Sequence, residues 1–245
     1  MVNITVCENS NSCGFTAAQE GEKIINEAIN KNGYANIILA TGVSQLIMFK
    51  HLVKMDIDWN VVNIFHLDEY ISIDMNNRAS FRKYLKDFFV DRIDIKFKNI
   101  YYINPENGSE TIINKLNLII SETEIDVAFV GIGENCHLAF NDPPANFDTK
   151  EPYIEVELDV NCRLQQLNEG WFDNFEEVPI TAISMSCHQI MKSKYIICTV
   201  PYKVKANAVY DAFRGNIDNK YPASILQDHN NCNVYLDKES SALLY

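Results

Sequence analysis

The chain has 245 residues, with 21 basic against 33 acidic side chains, a formal charge of −12 and 47% hydrophobic residues. That balance excludes non-specific binding to nucleic acid or anionic membranes, which needs a basic footprint. No stretch approaches the roughly 18 continuous apolar residues of a membrane span, and the apolar content supports a sizeable core without disulfides or metals.

Along the chain, short apolar runs alternate with stretches of helical period. Ile37–Ala40 reads as a buried strand, and Leu46, Met48, Phe49, Leu52 and Val53 then fall on one helical face. Val61–Phe65 is a second strand. A helix is predicted over about Ala79–Val90, with Phe81, Tyr84, Leu85 and Phe88 inward. Thr111–Ile120 reads as helix and Ile125–Val130 as a buried strand. The stretch 141–171 breaks the alternation; with Pro143-Pro144 and Pro152 it reads as a long excursion or lid. Tyr195–Val200 is strand-like, Lys203–Phe213 is helical and closes on Arg214-Gly215 as a glycine stop, and Val234–Leu236 is a last strand. The pattern predicts a doubly wound α/β fold, a mostly parallel sheet with helices on both faces, in a single domain spanning 1–245. Seven scattered cysteines without a C-x-x-C pair read as reduced thiols of a cytoplasmic protein, and residues 1–8 lack the regions of a signal peptide.

In open parallel sheets ligands bind beyond the carboxyl ends of strands, and three such ends carry polar or small residues. Thr41, Gly42, Val43 and Ser44 follow the first strand; they read as a phosphate cradle at a helix N-terminus or as a glycine turn with a serine cap. His66-Leu67-Asp68-Glu69-Tyr70 follows the second. One carboxylate can face a pocket as a general base while the other anchors the loop, or both are solvated loop carboxylates. After the strand ending at Val130 comes Gly131-Ile132-Gly133-Glu134-Asn135-Cys136-His137, then Leu138 to Pro144. The spacing to a third dinucleotide-type glycine is missing. His137 five residues before Asp142 reads as an oriented imidazole–carboxylate pair, or as a satisfied structural histidine. His51, His66, His188 and His229 form no zinc-type spacing, so no metal is expected.

Taken in order, Leu39-Ala40-Thr41-Gly42, Leu67-Asp68-Glu69-Tyr70, Ser80-Phe81-Arg82, Gly131-Ile132-Gly133, His137-Leu138-Ala139-Phe140-Asn141-Asp142-Pro143 and Thr199–Ala206 resemble the glucosamine-6-phosphate deaminase family, whose superfamily includes the 6-phosphogluconolactonases. The resemblance implies a modified Rossmann-like fold without a cofactor, acting on a sugar phosphate: an amino sugar phosphate is ring-opened, isomerised from aldose to ketose, and loses ammonia. It matches Asp68 to the carboxylate that shuttles a proton between carbons 2 and 1. It matches His137 to the imidazole that assists ring opening, with Asp142 in the place of a partner that is usually Glu. Thr41–Ser44, Gly133 and Lys205 match positions around the phosphate. Asn135 stands where the family has an Asp and Cys136 where it has Gly; the usual phosphate-binding arginine has no clear match, Arg163 being the nearest. The arginine-rich segment of allosteric hexameric members is absent, and association of like chains is left open. Two further readings are a sugar-phosphate lactonase and a sugar-phosphate sensor that has lost chemistry, the latter motivated by Asn135.

Overall fold

The computed structural model describes residues 2–244; Met1 and Tyr245 lie outside them. In chain order the elements are β1 (Asn3–Cys7), α1 (Ser10–Asn32), β2 (Ala35–Leu39), α2 (Val43–Leu52), β3 (Val62–His66), β4 (Asp68–Tyr70), α3 (Phe81–Phe88), β5 (Asn99–Tyr101), α4 (Ser109–Ser121), β6 (Val127–Val130), β7 (Tyr153–Glu157), α5 (Val160–Asn168), β8 (Thr181–Met185), α6 (Cys187–Met191), β9 (Tyr195–Val200), α7 (Ala206–Arg214) and β10 (Cys232–Asp237). Seven strands form one sheet in the order β1-β10-β9-β6-β2-β3-β5, and every neighbouring pair is parallel. The expected doubly wound α/β architecture is the one observed.

The mostly apolar strands are explained by burial on both faces. Side chains alternate across a strand, so Ile37 and Leu39 of β2 and Val127 and Phe129 of β6 join one core, while Ile38, Ala128 and Val130 join the other. At the amino ends of three adjacent strands a ladder of amides closes the layer. Asn63 donates to Asn36 and Asn99 to Asn63, each at 2.8 Å.

Two features depart from the expectation. The 23-residue α1 is not among the predicted elements: the first half of its inward face is made of small residues, Cys13, Gly14, Ala17, Ala18 and Gly21, and only Ile24 and Ile25 beyond them are bulky. Close approach requires the small residues; a Cβ on Gly14 would sit 2.4 Å from Ile47, and one on Gly21 2.6 Å from Phe129. The second is a separate antiparallel sheet, β4-β8-β7. It absorbs part of the 141–171 stretch, which carries β7 and α5. Leu67 is the joint between the sheets. Its N–H donates to Leu39 O in the parallel sheet, and its carbonyl accepts from Met185 N–H in the antiparallel one.

Smaller differences have local causes. Lys203–Lys205 forms a 3₁₀ turn before α7 rather than its first turn. Helix α7 does end before Gly215, but that residue has φ −86°, so no left-handed glycine stops it. No helix among the described residues is long and apolar enough to cross a membrane.

Candidate active site

The chain runs outward from β2 to β3 and β5, returns to β6 beside β2, and then runs the other way to β9 and β10. The reversal lies between β2 and β6, where the following loops diverge and leave a cleft. That cleft is lined by Thr41, Gly42, Val43 and Ser44 after β2, by Asp68 after β3, by Gly133 and His137 after β6, and by Lys205 after β9. Residues from four strand ends therefore converge on one space.

At the β2 end, Gly42 has φ +101°, a conformation that favours glycine. Its carbonyl accepts from the Tyr84 hydroxyl at 2.6 Å. Helix α2 begins at Val43 with no side-chain cap, so Ser44 is not its cap; Gln45 N–H donates to the Gly42 carbonyl at 2.9 Å, and Val43 and Ser44 line the cleft at the start of the helix. Lys205 is only 6% exposed. Burial pulls its ammonium down from the usual lysine range, against the opposing pull of Glu169 and Glu134.

On the opposite side, the two adjacent carboxylates have separate tasks. Glu69 is completely buried and accepts from Tyr70, Phe81 and Arg82 N–H, from the Ser80 hydroxyl and from Arg82 Nε, at 2.9–3.1 Å. Asp68 is 6% exposed, and its Oδ1 has no hydrogen-bond partner. Burial, then the neighbouring Glu69, hold the Asp68 carboxyl well above the ordinary range. Neither is a solvated loop carboxylate; Glu69 anchors and Asp68 faces the cleft.

His137 Nδ1 lies 3.2 Å from Oδ1 of Asp142. Burial tends to raise the Asp142 carboxyl, but His137 and hydrogen bonds from the Asp159 N–H and Asn135 outweigh it and leave it lowered. Asn135 donates to Asp142 at 3.1 Å and accepts from His137 N–H at 3.2 Å. Asp142 thus lies beside Nδ1 of the imidazole, which makes no aligned hydrogen bond, while Asn135 ties the His137 backbone N–H to Asp142 and does not touch the ring. Cys136 takes a left-handed φ of +69°, a conformation that costs a non-glycine residue energy. Its carbonyl accepts from Ala223 N–H at 3.0 Å, which helps hold the turn. Gly133 leaves room for the ring: an added Cβ would lie 2.2 Å from His137 Cε1 and 2.3 Å from Nε2. Gly133→Ala is expected to displace the imidazole and lower kcat/KM by about 10²-fold, the scale of a 1 Å misplacement. Steady-state kinetics with a thermal melt as folding control checks this.

Arg163 is not brought to the cleft. Its guanidinium donates to the Val178 and Phe175 carbonyls and stacks on the Phe175 ring at 4.1 Å. In its place α5 and the residue beyond it present Gln165, Gln166 and Glu169. Glu169 is held by Gln165 Nε2 at 2.7 Å and Trp171 Nε1 at 3.2 Å, while Gln166 Oε1 is buried without a partner. Sequence reasoning missed these side chains. Helix α5 has an inverted polarity, its glutamines buried while Val160 and Leu164 are exposed, which the sequence pattern alone does not reveal.

Residues 9–235 match the family model described as glucosamine-6-phosphate isomerases/6-phosphogluconolactonase. The chain is 36% identical to a glucosamine-6-phosphate deaminase of Clostridium botulinum (strain Eklund 17B / Type B), over 99% of this chain and 97% of that protein. Among solved structures it superposes on a monomeric glucosamine-6-phosphate deaminase with a TM-score of 0.90 at 27% identity, covering 99% of this chain and 100% of the other. It shares its fold with the 6-phosphogluconolactonase of Trypanosoma brucei, with a TM-score of 0.82 at 13% identity over 100% and 99% of the two chains.

Proposed function

The chain belongs to the glucosamine-6-phosphate isomerase/6-phosphogluconolactonase family, and we infer from that premise that it is a glucosamine-6-phosphate deaminase, converting its substrate with water to fructose 6-phosphate and ammonia. The observation that carries the reading is the convergence of Asp68, His137, the Thr41–Ser44 loop and Lys205 on one cleft.

The residues divide the work. The phosphate is held by the uncapped first turn of α2 and by Lys205, whose compact charge sits among groups that otherwise attract it. His137, with Asp142 beside its Nδ1, exchanges a proton with the ring oxygen as the sugar opens. Asp68, free of hydrogen bonds at Oδ1, takes the proton from carbon 2 and returns it to carbon 1. Water then replaces the nitrogen at carbon 2 and ammonia leaves. Gln165, Gln166 and Glu169 wall the sugar side of the cleft, which makes the 141–171 stretch a cover over substrate.

Incubation of purified protein with glucosamine 6-phosphate is expected to release ammonia and fructose 6-phosphate in equal amounts. Opening of 6-phosphogluconolactone without deamination would replace this reading with the lactonase, and ligand-induced stabilisation without turnover would replace it with a sensor. Lys205→Ala is expected to raise KM by about 10–100-fold with a smaller change in kcat, the loss of one hydrogen bond to a charged group. Equal loss in both constants would remove Lys205 from phosphate binding.

Asp68 works as a base only when ionised, and its carboxyl is held well above the usual range by burial and by Glu69. Protonation on acidification therefore begins at a higher pH than for an ordinary aspartate. The acid limb of kcat/KM is expected to have its midpoint clearly above about pH 4. A profile flat down to that pH would contradict the assignment.

A further inference from the structure

We propose that His137, Asp142 and Cys162 form an inhibitory site for a thiophilic divalent cation of the zinc type. The catalytic reading of His137 accounts for the inhibition, whereas occupancy of the site does not depend on it. A ring nitrogen of His137, a carboxylate oxygen of Asp142 and Sγ of Cys162 all lie within 4.8 Å of one another, and Nδ1 is the nitrogen beside Asp142. Two of them are already 3.2 Å apart, about the separation of neighbouring ligands around a tetrahedral ion bound at roughly 2.0–2.3 Å. Imidazole, carboxylate and thiolate are the donors that zinc takes, and the thiolate disfavours magnesium and calcium.

The three groups are held from the backbone rather than meeting by chance of side-chain reach. Cys162 is completely buried in the first turn of α5. Its N–H and that of Asn161 donate to the Asp159 side chain, and the Asp159 N–H donates to Asp142 Oδ2 at 2.9 Å. One local network therefore positions both the thiol and the carboxylate beside the imidazole. Among the described residues no other three side chains from His, Cys, Asp and Glu come this close.

Binding exchanges protons for metal bonds. The cation bonds to Sγ as the Cys162 thiol proton passes to solvent, and bonds to Nδ1 of the neutral imidazole in place of its contact with Asp142. The imidazole is then fixed at the nitrogen that lies beside Asp142, and its exchange with the sugar ring oxygen stops.

Cobalt(II) is the probe, titrated into the full chain without substrate. The expected result is one cobalt per chain with a thiolate-to-cobalt charge-transfer band, absent in both Cys162→Ser and Cys162→Ala and retained in Cys7→Ser. No band in the wild type, or the same band in the Cys162 variants, overturns the site whether or not the protein deaminates anything. Zinc is then expected to stop ammonia release in a chelator-reversible way. The Cys162 variants, each compared with its own metal-free rate, should need at least about 10-fold more zinc, since even a supporting partner of a ligand brings that loss. A band in the wild type with ammonia release unaffected by zinc overturns the inhibitory role and leaves the deaminase reading standing.

Discussion

Asp68→Asn is expected to lower kcat by about 10²–10⁴-fold, the range that a positioned proton-transfer group contributes, while glucosamine 6-phosphate still raises the melting temperature. The amide keeps the shape of the carboxylate and removes its basicity. The proposed phosphate contacts are the α2 turn and Lys205, which line the same cleft but are separate side chains from Asp68, so binding has no reason to fail with chemistry. Folding should survive, because Oδ1 of Asp68 supports no hydrogen bond and replacing a buried ionisable group by a neutral one removes a desolvation cost. Deamination at the wild-type rate would take Asp68 out of the mechanism. Loss of ligand stabilisation along with turnover would instead make it a binding group.

Glu69→Ala is expected to act on stability, by about 3 kcal/mol, the low end of the cost of breaking a buried ion pair, because Glu106 at 3.1 Å remains as a partner of Arg82. Arg82 and Glu69 side chains are 2% and 0% exposed and 3.1 Å apart. Removing the carboxylate also strands the N–H groups of Tyr70, Phe81 and Arg82 and the Ser80 hydroxyl. Arg82 additionally reaches Asn104 and the Ile73 carbonyl, so the damage spreads to two further loops. Against a typical total of about 5–15 kcal/mol, such a loss should appear as a large fall in the urea midpoint. An unchanged midpoint would mean that the ion pair is compensated elsewhere. Glu69→Ala combined with Arg82→Leu should recover part of the loss, as buried ion pairs replaced by apolar groups do.

The adjacent Asp68 and Glu69 show where the sequence was informative and where it was not. Their position after an apolar strand pointed to a strand-end site, and the order of the motifs placed Asp68, His137 and Asp142 together in function. What separates their roles is long-range: Glu69 turns toward the start of α3, which only the fold brings near. The parallel sheet was legible because burial on both faces writes mostly apolar runs into β2, β3, β6 and β9, interrupted only by Asn36, Asn63, His66 and Thr199. Helix α1 was not, since its packing depends on the absence of side-chain bulk at Gly14 and Gly21. Strand β4 is three residues, two of them acidic, and no periodicity can be read from so short a segment. Arg163 had the right charge and a plausible place in the order, but its donors are taken by the Phe175 and Val178 carbonyls. Only spatial competition for those donors decides that.

The double engagement of Leu67, bonded to Leu39 on one side and Met185 on the other, sets a division of labour for evolutionary change. The proposed anion cradle is built from loops of the parallel sheet, whereas α5, which brings Gln165 and Gln166 to the cleft, is inserted between two strands of the antiparallel one. Drift in that inserted segment can retune which sugar is accepted while the phosphate anchor stays fixed. Asp68, the proposed proton-transferring carboxylate, sits one residue beyond the seam, outside the inserted segment.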